Sequence, residues 1–166
     1  MKIETWKCGP PPSTGQRQRY PSRFLFNLKL EYPKFFDDNT LHLFSGSCEF
    51  GVTSDIRPET GCDIVAPFDQ IPRDDGTFNH VLADPPYADY FMDDWDGREL
   101  PKPIDVLREA ARLTRTGGLI GILHIIIIPA YKNPKWNVLG IERVGIHPIL
   151  AGTNNAIRAF NVFRRI

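Results

Sequence analysis

The sequence has few cysteines, no long apolar run and no net charge. Its three cysteines, Cys8, Cys48 and Cys62, form no Cys-x-x-Cys pair, so their spacing predicts reduced thiols instead of a disulfide framework or a metal site. The longest apolar run, 119–128, is far shorter than the roughly 18 residues that a membrane span needs. Residues 1–7 lack the apolar core of a signal peptide. These absences predict a cytoplasmic protein with no membrane partner.

The net charge of zero is a cancellation between three blocks. Residues 1–34 hold seven Lys/Arg and two acids, a balance of +5. Residues 35–101 hold three bases and fifteen acids (−12), and residues 102–166 hold ten bases and three acids (+7). The basic ends would attract a nucleic acid by counterion release, although solvated faces explain them equally well. The overall balance argues against a strong stand-alone nucleic-acid binder.

The length of 166 residues predicts a single domain with a substantial core. Proline and glycine crowd the stretch 8–18, so we predict an irregular arm over residues 1–21 and a catalytic core over 22–166. Ser22 is the expected N-cap of a short amphipathic helix that runs to Tyr32.

Short apolar runs that end in small or acidic residues predict buried strands of a parallel sheet. These runs are 41–44, 51–54, 64–66, 80–83 and 119–128. A helix is predicted over 103–115, before the stop signal Thr116-Gly117-Gly118. In the tail, the turn residues 152–155 separate 141–149 from 156–164, which predicts an antiparallel hairpin. The expected fold class is α/β, with a mostly parallel sheet, a C-terminal antiparallel hairpin and few helices.

The ends of the predicted strands carry a recognisable series of residues. In order they are Phe44-Ser45-Gly46, Asp55, Pro67-Phe68 and Asp84-Pro85-Pro86-Tyr87. Ligands of open α/β sheets bind outside these carboxyl ends. The series resembles the class I (Rossmann-like) S-adenosylmethionine-dependent methyltransferases, and its last motif resembles the DPPY motif of the amino-methyltransferases that act on nucleic-acid bases. The resemblance covers residues 40–166 and implies a minimal methyltransferase with S-adenosylmethionine as cofactor.

The resemblance also implies a role for each cofactor-side residue. The Phe44-Ser45-Gly46 turn would lie beneath the methionine part of the cofactor, where a glycine lets the backbone approach closely. Asp55 would accept hydrogen bonds from the ribose hydroxyls, and Ile56 would pack on the adenine. Many relatives have an acid where this chain has Pro67, so Phe68 would stack on the adenine and Asp69 would accept from its amine.

The Asp84-Pro85-Pro86-Tyr87 loop has the clearest chemical rationale. An exocyclic base amine is a poor nucleophile because its lone pair is delocalised into the ring. Asp84 and the Pro85 carbonyl would accept the two N–H groups and localise that pair on nitrogen. Pro85 and Pro86 restrict the backbone that aims the carbonyl, and Tyr87 offers a face for base stacking. The methyl group then moves by in-line displacement, which is mainly a matter of positioning.

The sequence departs from the family pattern after the first strand. Only eight residues, 47–54, separate Gly46 from Asp55, which is too few for the usual crossover helix. That helix would have aimed its N-terminus at the methionine carboxylate. We predict that Arg17 and Arg19, together with Tyr20, make this contact instead.

A second departure concerns the substrate. The acidic stretch 89–99 directly follows the motif and would repel phosphates, an effect that Lys132, Lys135 and Trp136 would offset. From the length of 166 residues we expect no separate target-recognition domain. His124 lies within an apolar run and is interpreted as a core histidine.

Three functions stay open. The favoured one is methylation of an exocyclic amine of a DNA or RNA base, adenine N6 before cytosine N4 or guanine N2. A recognition subunit or a homodimer would then supply target choice. The alternatives are a catalytically weak or inactive methyltransferase-fold partner or scaffold, and an amine methyltransferase that acts on a small molecule or a protein.

Overall fold

The computed structural model describes residues 1–9, 20–46, 48–87, 99–128, 139–151 and 157–166. Within these ranges one sheet of nine strands is flanked by two α-helices. The helices are α1 (Phe24–Glu31) and α2 (Pro103–Leu113). The strands are β1 (Lys2–Ile3), β2 (Trp6–Cys8), β3 (Thr40–Leu43), β4 (Val52–Asp55), β5 (Ile64–Val65), β6 (His80–Ala83), β7 (Leu119–His124), β8 (Ile141–Ala151) and β9 (Ile157–Arg165).

The sheet confirms the predicted fold class. Its strand order is β1-β8-β9-β7-β6-β3-β4-β5, and β2 also pairs with β8. The strands β5, β4, β3, β6 and β7 run parallel, whereas β9 lies antiparallel between β7 and β8. The turn predicted over 152–155 lies outside the described residues.

The prediction of an irregular arm over residues 1–21 is wrong for its first nine residues. β1 and β2 both pair in parallel with β8. The Trp6 ring is buried and stacks on His147, with ring centroids 4.4 Å apart. Strands of two and three residues are too short to show a sequence period. The remainder of the arm, 10–19, lies outside the described residues.

The two faces of the sheet are covered by different helices. α2 is strongly amphipathic and buries one apolar stripe against β6 and β7, formed by Val106, Leu107, Ala110, Ala111 and Leu113. α1 covers the opposite face through Phe24 and Leu28, while Phe26 and Leu30 are exposed. The expected helix is therefore present and ends at Glu31, but it is not amphipathic as predicted, because its exposed face also carries apolar side chains. Its predicted cap is wrong, because Arg23 is the N-cap and Ser22 bridges Gly9 instead.

The connections between the parallel strands β3, β4 and β5 are too short to contain α-helices. Among the described residues, no helix separates β3 from β4, and only a short 3-10 helix, Pro58–Thr60, separates β4 from β5. β7 ends at His124 and not at residue 128 as predicted, because the Asn161 side chain accepts from the Ile128 N–H and donates to the Ile126 carbonyl. The described residues include no helix that is long and apolar enough to span a membrane.

Candidate active site

Three loops begin side by side at the carboxyl edge of the sheet. β3 pairs with both β4 and β6, and Leu43 lies opposite Ser54 on one side and Ala83 on the other. The residues that follow, Phe44 and Asp84, therefore begin neighbouring loops, next to Asp55 at the end of β4. This edge is where open α/β sheets bind their ligands.

The Phe44-Ser45-Gly46 loop turns sharply. Phe44 and Gly46 both have positive φ angles, 58° and 50°, and a left-handed conformation at a non-glycine residue such as Phe44 costs roughly 1 kcal/mol or more. The Phe44 ring packs on Phe68 at 5.4 Å between centroids. The Ser45 side chain is buried, and its hydroxyl has no hydrogen-bond partner among the described residues. The loop thus holds a polar group for which the described residues supply no partner.

The carboxylate of Asp55 is saturated with hydrogen bonds. Its Oδ1 accepts from the backbone N–H and from Nε of Arg57, both at 3.1 Å. Its Oδ2 accepts from the Gly46 N–H at 3.1 Å and from Nη2 of Arg57 at 3.3 Å. Because a carboxylate has about four acceptor positions, none is left for a ribose hydroxyl while Arg57 holds this position.

Arg57 is a functional candidate that the motif comparison missed. Its backbone is extended at φ −96° and ψ 113°, so residues 55 and 57 project to the same side. The sequence signal that could have identified Arg57 is an Asp-x-Arg sequence at the end of a buried strand. The other residues predicted on this side differ in exposure: Ile56 and Phe68 pack against the α2-side core, Pro67 is half-buried, and Asp69 is exposed.

Asp84 has very different surroundings. Its side chain is 20% exposed, and its one charged neighbour among the described residues is Arg158, with Nη1 3.9 Å from Oδ2. That distance makes a loose ion pair, since a hydrogen bond needs about 3.2 Å or less. Burial raises the pKa of the Asp84 carboxyl to about 6, even though the Arg158 guanidinium lowers it. The carboxylate therefore keeps open acceptor positions.

The other residues of the motif form the wall of the site. Pro85 and Pro86 are buried. The Tyr87 ring lies under the Arg158 guanidinium, with Cζ 5.0 Å from the ring centroid, and packs edge-on against His124 at 5.7 Å. His124 is buried as predicted, and its Nδ1 accepts from the Ile126 N–H.

A neutral cluster lies on the α1 side of the same edge. Nδ1 of His42 is 3.5 Å from the Tyr20 hydroxyl and 3.4 Å from Sγ of Cys48. Burial lowers the pKa of His42 to about 4. Burial, with added repulsion from Cys48 and Asp84, raises the pKa of Tyr20 well above its ordinary value. At neutral pH these groups line the site without charge.

Several predicted residues cannot be compared with the structure. Arg17, Arg19, Lys132, Lys135 and Trp136 lie outside the described residues, as do positions 89–98 of the acidic stretch. In the part of the chain that is described, no group of three His, Cys, Asp or Glu side chains could hold a metal ion. The three cysteines are free thiols.

Comparison with known structures identifies the fold. The [4+2]-cyclase SpnF matches with a TM-score of 0.57 and 10% identity, over 98% of this chain and 87% of that chain. The N-methyltransferase NodS from Bradyrhizobium japonicum matches at 0.53 and 10%, over 77% and 85%. A complex of the Haloferax volcanii Trm112 methyltransferase activator with a methyltransferase matches at 0.51 and 15%, over 77% and 82%.

These likenesses define the fold and leave the reaction open. The chain has the mixed α/β, Rossmann-like fold of solved S-adenosylmethionine-dependent methyltransferases, which agrees with the predicted fold class. No protein-family model matches the sequence, and no curated protein matches it. Since one structure with this fold is a [4+2]-cyclase, the function must be argued from the site.

Proposed function

We propose that this protein transfers the methyl group of S-adenosylmethionine to an exocyclic amine of a nucleic-acid base, with adenine N6 as the favoured target. The observation that supports this most directly is the position of Asp84. Its carboxylate accepts no hydrogen bond from the described residues and lies beside the loop that follows β3. An amine that enters this edge would find an acceptor ready for its N–H group.

The electrostatics of Asp84 suit this role. With a pKa of about 6, the carboxyl is mostly ionised at neutral pH and remains basic enough to accept a proton. Asp84 and the Pro85 carbonyl would hold the two N–H groups of the amine and so localise its lone pair. The buried prolines fix the geometry of that carbonyl. Tyr87 would stack on the base.

The cofactor-side residues fit S-adenosylmethionine on one condition. The buried Ser45 hydroxyl has no partner among the described residues, and the turn at Phe44 and Gly46 allows close approach. Asp55 can hold the ribose only if the Arg57 side chain leaves it. When bound, the cofactor supplies an electrophilic methyl group on a sulfonium.

We propose that Arg19, with Arg17, contacts the methionine carboxylate of the cofactor in place of the missing helix. Charge reversal at both positions should then weaken cofactor binding, and unchanged affinity would contradict this role. A recognition subunit or a second copy of the chain would select the nucleic-acid target in the cytoplasm. The solved complex of a methyltransferase with the activator Trm112 offers a precedent for such a partner.

The occupied Asp55 carboxylate supports a second function. A methyltransferase-fold protein that uses its sheet only as a partner or scaffold has no need of a free ribose site, and Arg57 fills that site here. The two functions differ in cofactor binding. The purified protein should release or absorb heat with S-adenosylmethionine or S-adenosylhomocysteine if it is an enzyme, and should show none if it is a scaffold.

Transfer of a tritiated methyl group onto DNA, tRNA and rRNA pools tests the proposed reaction. Nucleoside digestion of the labelled pool should yield a methylated base, with N6-methyladenine expected. Label recovered on a protein or a small molecule would indicate that the methyl acceptor is an amine of that molecule and not of a nucleic-acid base. Cofactor binding without label in any pool would contradict nucleic acid as the substrate.

A further inference from the structure

Arg158 touches both ends of the Asp84-Pro85-Pro86-Tyr87 motif, although it comes from a distant part of the chain. It is the second residue of β9, and His124, the last residue of β7, pairs with its neighbour Ala159. Because β9 is antiparallel to β7, its N-terminal end lies at the carboxyl edge of the parallel strands. The terminal hairpin thus delivers a cation to the motif.

The contacts of Arg158 are mostly shielded from water. Its side chain is 18% exposed, and that of Asp84 is 20% exposed. Its Nη1 lies 3.9 Å from the Asp84 carboxylate, and its Cζ lies 5.0 Å from the Tyr87 ring centroid. An attraction between opposite charges at this distance is much stronger here than on an exposed surface, where salt and water screen it.

We propose that Arg158 is a positioning residue that keeps Asp84 ionised and holds the Tyr87 ring in place for the substrate amine. This inference rests on the proposed function, since it assigns Arg158 a task in that reaction. The loose pair is suited to the task. A bidentate contact like that between Arg57 and Asp55 would fill the acceptor positions of the carboxylate, whereas a guanidinium at 3.9 Å stabilises the charge and leaves those positions open.

Arg158 is the sole cation near Asp84 in the described part of the chain. The other titratable groups around the site are Tyr20, Tyr87, His42, Cys48 and His124. Burial raises the pKa of Tyr20 and Cys48 and lowers that of His42 and His124, so each of these four groups is driven toward its neutral form. None of them can replace the Arg158 charge at neutral pH.

Two variants separate the charge of Arg158 from its bulk. Arg158→Gln removes the charge and keeps a planar polar end, whereas Arg158→Lys keeps the charge. Arg164→Gln is the matched control, because Arg164 lies at the far end of β9, is half-exposed and pairs with Glu142. It lies six residue steps along the strand from Arg158, about 20 Å, which is well beyond the ~8 Å screening length at physiological salt.

The pH dependence of methyl transfer is the first measurement. Wild type should lose activity toward acid with a midpoint near pH 6, as Asp84 takes up a proton. In Arg158→Gln the midpoint should move up by about one pH unit or more, so that activity at pH 8 is far less impaired than at pH 6.5. The shift should be smaller in Arg158→Lys and absent in Arg164→Gln. An unmoved midpoint in Arg158→Gln would overturn the inference.

A second measurement does not depend on activity. The Asp84 carboxyl can be titrated by NMR in protein labelled with carbon-13 at aspartate, with Asp84→Asn identifying its signal. The Asp84 midpoint should be higher in Arg158→Gln than in wild type, and an equal midpoint would overturn the inference. If no variant transfers methyl groups but the midpoint still moves, the proposed reaction fails while the effect of Arg158 on Asp84 stands.

Discussion

Two aspartates flank the central strand β3, and their carboxylates have opposite surroundings. Asp55, at the end of β4, accepts four hydrogen bonds from Arg57 and Gly46. Asp84, after β6, accepts none from the described residues and has one cation 3.9 Å away. Burial raises the pKa of Asp84 to about 6. A saturated carboxylate stabilises its own loop, whereas an unsaturated one costs stability and is ready for a ligand.

The largest effect expected from this difference is on activity. Asp84→Asn replaces the anionic acceptor by a neutral amide, which also presents N–H groups toward the substrate amine. Methyl transfer should fall by about a thousandfold, equivalent to ~4 kcal/mol, while cofactor affinity changes little. Single-turnover transfer and calorimetry measure the two quantities. Asp38→Asn, at an exposed position, is the control and should behave as wild type; turnover close to wild type in Asp84→Asn would show that Asp84 does not bind the amine.

The second effect is on stability at Asp55. Asp55→Ala leaves the Gly46 N–H without its acceptor and Arg57, 16% exposed, without its anion. The free energy of unfolding in urea should fall by about 3 kcal/mol. Asp75→Ala removes another Asp–Arg pair, but Asp75 is 82% exposed, so that loss should stay below about 1 kcal/mol. Equal losses would mean that burial does not distinguish the two pairs.

The sequence predicted the sheet well because its strands are short buried runs with small or acidic ends. Buried runs of this kind predicted that the strands are parallel, whereas their order in the sheet was not predicted. The helix α2 followed from its period, and the terminal hairpin from two apolar runs around a turn signal. β1 and β2 were missed because their pairing with β8 depends on contacts some 140 residues away.

The site was less predictable, for a physical reason. Asp84 and Asp55 could be placed at strand ends, but the sequence does not encode how many hydrogen bonds a carboxylate accepts. For Asp55, that number depends on Arg57, whose contact requires an extended backbone after β4. For Asp84, the nearest cation is Arg158, whose position depends on the register of β9 against β7. From the sequence alone, neither arginine can be distinguished from an arginine on the protein surface.

The third effect is a pH-dependent stability at Asp84. The pKa of its carboxyl is near 6 in the folded protein, above the unfolded value of 3.8. The folded state therefore binds this proton more tightly, and the stability it contributes is complete below pH 3.8 and lost as the pH rises through 6. Relative to Asp84→Asn, the wild type should lose about 2 kcal/mol of unfolding free energy between pH 4 and pH 7.

Urea titrations of wild type and Asp84→Asn at several pH values measure this difference directly. Other groups that titrate in this range, such as histidines, are common to both proteins and cancel in the comparison. At pH 7 the variant should be the more stable of the two, although its methyl transfer should be far slower. Parallel stability curves across this range would mean that Asp84 is not held in an unfavourable ionised state.

The smallest expected effect concerns cofactor affinity at Asp55. Arg57→Ala frees the acceptor positions that the guanidinium fills, so the ribose hydroxyls no longer compete with it. S-adenosylhomocysteine should bind about tenfold more tightly, equivalent to ~1.4 kcal/mol, which is typical of one hydrogen bond to a charged group. The gain must disappear in the double variant Asp55→Asn/Arg57→Ala, because the amide lacks the charge that holds the hydroxyls. Affinity that is unchanged or weaker in Arg57→Ala would show that Arg57 does not compete with the ribose, and the two aspartates would then differ in structural role alone.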